Sequence, residues 1–454
     1  MARTTKKEKM LTPGEKMAQA LVPETEQPYK VPKNWCWTKL GEVAQWGSGG
    51  TPSRKHPEYY DGDIPWIKTG ELRDDYIFET EERITNEAIS NSSAKVFPIN
   101  TVAVAMYGAT IGKSGILGVK ATTNQACACG VCTQALFYKY LFYYVRLQKE
   151  AFIAKAKGGA QPNISQEIIK SHCVPIPPLA EQQRIVDRIE SHFAKLDEAK
   201  EKAQSVVDGF ENRKAAILHK AFTGELTAEW REKHNISLDS WQIETVASIC
   251  KSLKYGTAKK SEKTGTVVVI RMGNLQQGEI DWSDLAYSTD DEDIEKYRLE
   301  PNDVLFNRTN SAALVGKTSI YRGEYPAIYA GYLIKLDYDH DVVIGEYLNY
   351  ALNTQDAKKY CNSVKTDGVN QSNINAKKIG AYIFPVPSKN EQGKIVELLK
   401  GFIEKEQQAK EAAEKVIEKI DIMKKSILAR AFRGELGTND PADEPAEELL
   451  KRVL

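Results

Sequence analysis

Two long stretches of the chain carry an apolar residue at every seventh position. In the first, Ile189, Leu196, Ala203, Phe210 and Ile217 form one series, with Ile185, Ala199 and Val206 interleaved and His192 and Arg213 interrupting. In the second, Ile395, Phe402, Ala409, Val416 and Met423 form one series; Leu399, Ala413, Ile420 and Ile427 form the other, interrupted by Glu406. A sustained 3.5-residue spacing predicts a coiled-coil seam. The spacing predicts helices over 179–226 and 388–436, each of about 40 residues and roughly 60 Å. Pro178 opens the first, and Ser388-Lys389-Asn390-Glu391 has the form of a capping box for the second. Outside these helices the apolar runs are short, as in Ile64–Ile67 and Val102–Met106, and Gly and Pro break them. This pattern predicts domains that are mostly β with some helix, including one helix over Phe137–Lys157.

The two stretches are copies. Residues 181–226 align with 391–436 without a gap, and 18 of the 46 positions are identical. Matches continue outside the helices at shifting offsets: Trp35–Val43 with Trp241–Ile249, Ile67–Leu72 with Ile270–Leu275, Gly112-Lys113 with Gly316-Lys317, and Asn163-Ile164 with Asn373-Ile374. Cores that match while loops differ are expected of one scaffold carrying two recognition surfaces. The chain therefore divides into an N-terminal extension (1–33, with a short amphipathic stretch at Leu11–Leu21), a globular domain (34–178), a helix (179–226), a linker (227–239), a second globular domain (240–387), a second helix (388–436) and an acidic tail (437–454). The fold class expected is α+β: two mixed α/β domains separated by two long helices that form an antiparallel coiled coil, a pseudo-twofold internal repeat. The seam also permits each helix to pair only with another chain.

Composition narrows the function. With 62 basic and 62 acidic residues the formal net charge is zero, which argues against a simple nucleic-acid-binding protein. The charge is uneven, however. Residues 251–271 hold Lys251, Lys254, Lys259, Lys260, Lys263 and Arg271 against Glu262 alone, and 305–323 hold Arg308, Lys317 and Arg322 with no acid. Residues 95–120 hold Lys95, Lys113 and Lys120, again with no acid. Such stretches suit a phosphate-tracking surface. Seven cysteines without framework spacing, no apolar run of about 20 residues and no signal-peptide pattern lead to an expected cytoplasmic location.

Several motifs resemble those of type I restriction–modification specificity subunits. Pro177–Val186 resembles the start of that family's central conserved helix. Gly49-Gly50-Thr51-Pro52-Ser53, Ile64–Leu72, Ala105–Lys113, Thr123-Asn124-Gln125-Ala126 and Asn163-Ile164-Ser165 resemble motifs of its target-recognition domains, and Phe222–Leu226 its helix end. The resemblance runs from about residue 34 to 437. It implies two target-recognition domains, each reading one half of a bipartite, asymmetric site in double-stranded DNA. It implies helices that set the half-site spacing and dock two modification (adenine-N6 methyltransferase) and two restriction subunits. S-adenosylmethionine, ATP and Mg2+ would bind those partners, and this chain would hold no cofactor. The second domain departs from the pattern, with Lys254–Lys260 in place of the Gly-Gly-Thr-Pro loop and Asn307-Arg308-Thr309-Asn310-Ser311 in place of Met106–Thr110, which points to a different half-site. Leu226–Trp230 holds one copy of a Thr-Ala-Glu element, whose length in this family influences the spacing.

Base edges are read by Arg, Lys, Asn and Gln, and phosphates are held by Lys, Arg, Ser and Thr. The candidate DNA contacts are Arg54, Lys55, Lys68, Tyr107, Thr110, Lys113 and Gln125 in the first domain. In the second they are Lys254, Lys259, Arg271, Asn274, Asn307, Arg308, Asn310 and Lys317. Asn124 and Asn274 could equally brace turns, and Tyr107 could be a core residue at a strand end. No catalytic constellation appears: the chain lacks the Asn-Pro-Pro-Tyr/Phe mark of adenine methyltransferases and any nucleotide-binding Gly-Lys-Ser/Thr loop. Cys127, Cys129 and Cys132 lack the second ligand pair of a zinc site, so no metal is expected. A coiled-coil scaffold with protein-binding end domains is the alternative class.

Overall fold

The computed structural model describes residues 12–159, 162–369 and 371–454; the first residues of the expected extension, including Leu11, lie outside them. The chain forms two compact units, Met1–Lys202 with Val416–Leu454, and Ala203–Lys415. In the first, a five-stranded sheet has the order Ala44–Ser48, Cys127–Cys132, Val102–Ala105, Ser114–Leu117, Tyr76–Ile77. A four-stranded sheet lies in the same unit, with Ile67 of Tyr60–Ile67 parallel to Thr123 of Ala121–Thr123. The central strand Val102–Ala105 is fully buried because it serves two cores. Val102 and Val104 pack with Tyr140, Leu141 and Tyr144 on one face, while Ala103 and Ala105 pack with Ile67 and Leu117 on the other. Alternation along a strand produces this division, and burial on both faces explains the unbroken apolar run. The helix expected over Phe137–Lys157 is two helices, Tyr138–Leu147 and Lys149–Ala154, joined at Gln148.

The second unit repeats the scheme. Its central sheet runs Cys250–Tyr255, Leu333–Tyr338, Val304–Asn307, Thr318–Ile320. Val304 and Phe306 face the core that holds Tyr347 and Leu348, and Leu305 faces a second core with Ile270 and Leu333. Strand Val267–Ile270 is parallel to Ala327–Tyr329, as Ile67 is to Thr123.

The first long helix runs Leu179–Asp208, is interrupted at Gly209 and resumes as Phe210–Phe222; the second is unbroken over Lys389–Ala431. Each begins with a buried Glu-Gln pair that ties it to its domain. Gln182 accepts from the Phe137 amide at 2.8 Å and donates to Ala135 and Pro177 carbonyls; Gln392 accepts from the Ile344 amide at 2.8 Å and donates to Val342 and Pro387 carbonyls. Glu181 accepts from the Trp35 indole (2.8 Å), Thr438 and Asn439. Glu391 accepts from the Trp241 indole (2.9 Å), Thr227 and Arg231. The expected capping box is therefore only half formed. Ser388 Oγ accepts from the Glu391 amide, but the Glu391 carboxylate is taken by Thr227, Arg231 and Trp241.

The linker holds two short helices, Glu225–Thr227 and Ala228–His234, with Thr227 and Arg231 buried against Glu391. The acidic tail packs on the first unit. Ala446–Lys451 is a helix that buries Ala446, Leu449 and Leu450 in the core containing Met17 and Ala20 of helix Pro13–Ala20, and Asp443 pairs with Arg184. Finally, the second helix turns a different stripe inward. Phe402, Val416 and Met423 are 42%, 43% and 49% exposed, and Ala409 is exposed too. Leu399, Ala413 and Ile420 are buried, at 0%, 8% and 2%. Of the proposed second-helix seam only Ile395 is buried. In the first helix Ile189, Ala203 and Phe210 are buried, and Leu196 and Ile217 are half-buried. In the first unit, Lys424 pairs with Asp197 and Lys200 with Asp421, so the helix segments there run antiparallel.

Candidate nucleic-acid interface

In each unit one loop hangs from the same backbone clamp at the end of the central strand. In the first, the Ala105 amide donates to Lys113 O (2.8 Å) and the Gly112 amide to Ala105 O (3.0 Å), leaving Met106–Ile111 between them. In the second, the Asn307 amide donates to Lys317 O (2.8 Å) and the Gly316 amide to Asn307 O (2.9 Å), leaving the longer Arg308–Val315. Gly112 and Gly316 have φ of +75° and +93°, a conformation glycine adopts without Cβ strain. Each loop is pinned by the segment before the Pro run: Ile164 N donates to Met106 O (2.9 Å), and Ile374 N to Arg308 O (2.8 Å). The clamp is shared and the suspended side chains differ.

The glycine motif explains a close approach. A Cβ on Gly49 would lie 1.8 Å from Thr123 O. In the second domain a Cβ on Gly256 would lie 2.2 Å from Tyr329 O, so that glycine does the same work within the otherwise different Lys254–Lys260 loop.

The candidates of the first unit fall into two groups. Arg54 pairs with Glu82 at 2.6 Å and stacks over Tyr60 at 4.2 Å, while Lys68 bridges Glu81 and Glu82 at 3.0 Å each; those hydrogen bonds, Glu81 foremost, push the Lys68 pKa up. Lys55 is exposed nearby in sequence, and exposed Gln125 accepts a hydrogen bond from Thr51. The second group belongs to the suspended loop: Tyr107 is 47% exposed, Thr110 donates to Tyr107 O at 2.8 Å, and Lys113 is half-buried at the clamp.

In the second unit most cations are held by carboxylates: Lys254 by Asp337 (2.9 Å), Lys259 by Asp290 (2.7 Å) and Arg271 by Asp284 (2.9 Å). Lys317 donates to Gln276 Oε1 at 2.9 Å, and half-buried Asn310 accepts from Ser311 N. Arg308 differs. Its guanidinium stacks over Tyr255 at 4.7 Å, makes only long bonds to Gly331 O (3.4 Å) and Asn373 Oδ1 (3.5 Å), and has no carboxylate partner among the described residues. Its buried Nε has no partner there either. Such an arginine is preset in direction and free to exchange weak bonds for strong ones.

Two candidates are corrected. Asn274 is buried; it accepts from Arg271 N and donates to Asp281 and Asp284 carbonyls at 2.9 Å each. Asn307 is buried inside the clamp, accepting from Thr309 N and donating to Met272 O. Both brace turns, because an amide side chain can replace backbone partners in this way. Tyr255 and Asn373 were missed as support for Arg308; the adjacency of Tyr255 to Lys254 in a basic loop was the available signal. The cysteine run makes no metal site: Cys127 and Cys129 lie in one core and Cys132 packs against the other, so the three thiols do not converge. Among the described residues no group of three potential metal ligands occurs, and no helix is long and apolar enough to cross a membrane.

A two-domain scaffold with one shared clamp and two unlike loops has the form of a recognition protein. The family model for the type I restriction modification DNA specificity domain matches twice, at residues 32–206 and 239–419. The chain belongs to this family of type I specificity proteins. Its relatives include the StySPI specificity subunit of Salmonella potsdam (24% identical over 430 residues, 92% of each chain) and the EcoKI specificity subunit of Escherichia coli K12 (23% over 433 residues, 92% of each). In fold it resembles the HsdS subunit from Thermoanaerobacter tengcongensis (TM-score 0.62, 18% identity, 91% of this chain and 100% of that one). It also resembles a chain from a study of type I restriction–modification complex assembly (TM-score 0.68, 18% identity, 90% and 100%).

Proposed function

We propose that the chain supplies the DNA address of a type I restriction–modification complex, each domain reading one half of a bipartite target. The shared clamp with divergent loops carries this reading, since one scaffold presenting two chemistries is what an asymmetric site requires. Of the candidates, Arg308, Tyr107, Lys55, Gln125, Asn310 and Lys317 are free of carboxylate partners among the described residues. Arg54, Lys68, Lys254, Lys259 and Arg271 would exchange a carboxylate for phosphate on binding.

The long helices pair as an antiparallel coiled coil, each copy of the repeat contributing one, and set the half-site spacing. They dock two modification and two restriction subunits, which bring S-adenosylmethionine, ATP and Mg2+, in the cytoplasm. Exposed Phe402, Ile422 and Met423 supply apolar surface for that docking. Co-expression with the system's modification subunit, followed by mapping of methylated adenine in host DNA, tests the proposal. One bipartite motif lost on deletion of this chain is the expected result; methylation indifferent to the deletion overturns it.

A further inference from the structure

The repeat sets two lysines in equivalent places with opposite surroundings. Lys214 and Lys424 are matched positions of the two long helices. In the first unit Lys424 pairs with Asp197 and lines a cavity of about 420 Å³ together with Asp74, Asp75 and Glu190. In the second unit the counterpart of Asp197 is Gln407, and the counterpart of Asp74 is Gln277, which shares its left-handed backbone (φ +58° and +53°). At these two places, Asp74 and Asp197, one copy has a carboxylate and the other an amide, while Asp75 and Glu190 correspond to Gly278 and Lys400.

Lys214 is consequently left half-buried without a carboxylate partner among the described residues. Burial, with a smaller contribution from Lys358, lowers its pKa, and Glu211 and Glu279 oppose that shift. It lines two cavities of about 430 and 420 Å³. The first also presents Lys317, bonded to Gln276 and without a carboxylate partner among the described residues, and Lys358, with Glu211 as the opposing charge; its wall includes Ala313, Leu314 and Val315 of the suspended loop. The second holds Glu279, already paired with Arg322, and exposed Glu404. A desolvated ammonium without a counter-charge is unfavourable, and the sister copy shows that the scaffold accommodates one. We propose that the first cavity is an anion site, in which a phosphoryl group pairs with Lys214, Lys317 and Lys358 behind the Arg308–Val315 loop. The phosphoryl group is either a free phosphate or a phosphate of the DNA backbone; only the second source rests on the proposed DNA-reading function.

The test is calorimetric titration of the full chain with sodium phosphate in the absence of DNA, alongside Lys214→Met, Lys214→Arg and, as control, Lys424→Met. Folding of each variant is verified by its unfolding midpoint. Wild type, Lys214→Arg and Lys424→Met are expected to bind, with Lys214→Met weaker by about tenfold, the factor that about 1.4 kcal/mol represents. In a second arm, phosphate ethylation interference on target duplex in the full complex locates a DNA source: one ethylated position should weaken wild type and leave Lys214→Met unchanged. Weakening of phosphate binding by Lys214→Met supports the site, as does the ethylated position where free phosphate does not bind; the ethylated position assigns a DNA source. Phosphate binding that Lys214→Met retains, or no phosphate binding together with no such ethylated position, overturns it.

Discussion

Arg213 Nε donates a 2.6 Å hydrogen bond to Glu406 Oε2, so two of the three polar residues that interrupt the heptads, one from each helix, are each other's partner. Arg213 also donates through Nη2 to Val206 O at 2.8 Å, spanning the interruption at Gly209. By the repeat, the same places in the other copy hold Met423 and Leu196. A half-exposed pair of this kind contributes modestly and selects register more than it stabilises.

Replacing both partners together should therefore be mild. Arg213→Met with Glu406→Leu, which imports the sister copy's residues, is expected to shift stability by less than about 1 kcal/mol, whereas Arg213→Met alone leaves Glu406 unpaired and costs about 1 kcal/mol more. A double-mutant cycle by urea unfolding measures the coupling. Additive effects would show that the pair contributes no register.

The carboxylates at the two helix starts should differ in cost. Glu391 neutralises Arg231, and both side chains are nearly inaccessible, at 0% and 9%. Removing one partner of a buried pair costs about 3–5 kcal/mol, so Glu391→Gln should lower the unfolding midpoint of the second unit sharply. Glu181 is bonded mainly by neutral donors, Trp35, Thr438 and Asn439; Glu181→Gln keeps an acceptor there and should cost about 1–2 kcal/mol. Equal losses would contradict this ranking.

For the DNA contacts, Arg308→Ala should relax one position of one half-site, by about 1–3 kcal/mol of discrimination, and leave the other half-site intact. Asn307→Ala should instead reduce folding stability by about 1–3 kcal/mol through its unsatisfied neighbours. Methylome mapping with each variant separates the two: a changed motif for Arg308, and an unchanged motif at lower protein abundance for Asn307.

The linker makes a geometric prediction. Thr227 Oγ1 donates to Glu391 at 2.7 Å, so a four-residue insertion between Leu226 and Thr227 leaves that clasp intact while lengthening the connection. The target should keep both half-sites and gain spacer. Unchanged spacing in the methylated motif would refute the role assigned to the linker.

What was legible in the sequence was whatever repeats or alternates. The two copies and the long helices follow from periodicity and matched segments; the apolar run Val102–Met106 marked a strand, but its burial on both faces is seen only in the packing. The second helix's inward stripe did not follow from periodicity. Its two apolar series fit a heptad equally well, and Glu406 made the buried Leu399–Ile420 series look broken while Phe402–Met423 looked continuous. Only a long-range partner, Arg213, reverses that judgement. Asn274 and Asn307 failed for a related reason: residue type alone cannot distinguish an amide offered to a base from one spent on a turn, and the partners of Asn307, Met272 O and Thr309 N, include one distant in sequence.

His172 gives the first unit an acid limit. It is 8% exposed, lies with its ring tilted against Phe152 (centroids 4.9 Å apart), and accepts a 3.2 Å contact from Lys155 Nζ at Nδ1. Burial first, then Lys155, lowers its pKa to about 4. The folded pKa lies below the unfolded value of about 6.5, so the unfolded chain binds the extra proton between them. Stability is therefore full above about pH 6.5 and falls as pH drops toward 4, by up to roughly 3 kcal/mol over that window. His172→Phe should flatten this limb of the stability curve, which denaturant unfolding between pH 4 and 7 reads directly. An unchanged slope would assign the acid sensitivity to other groups.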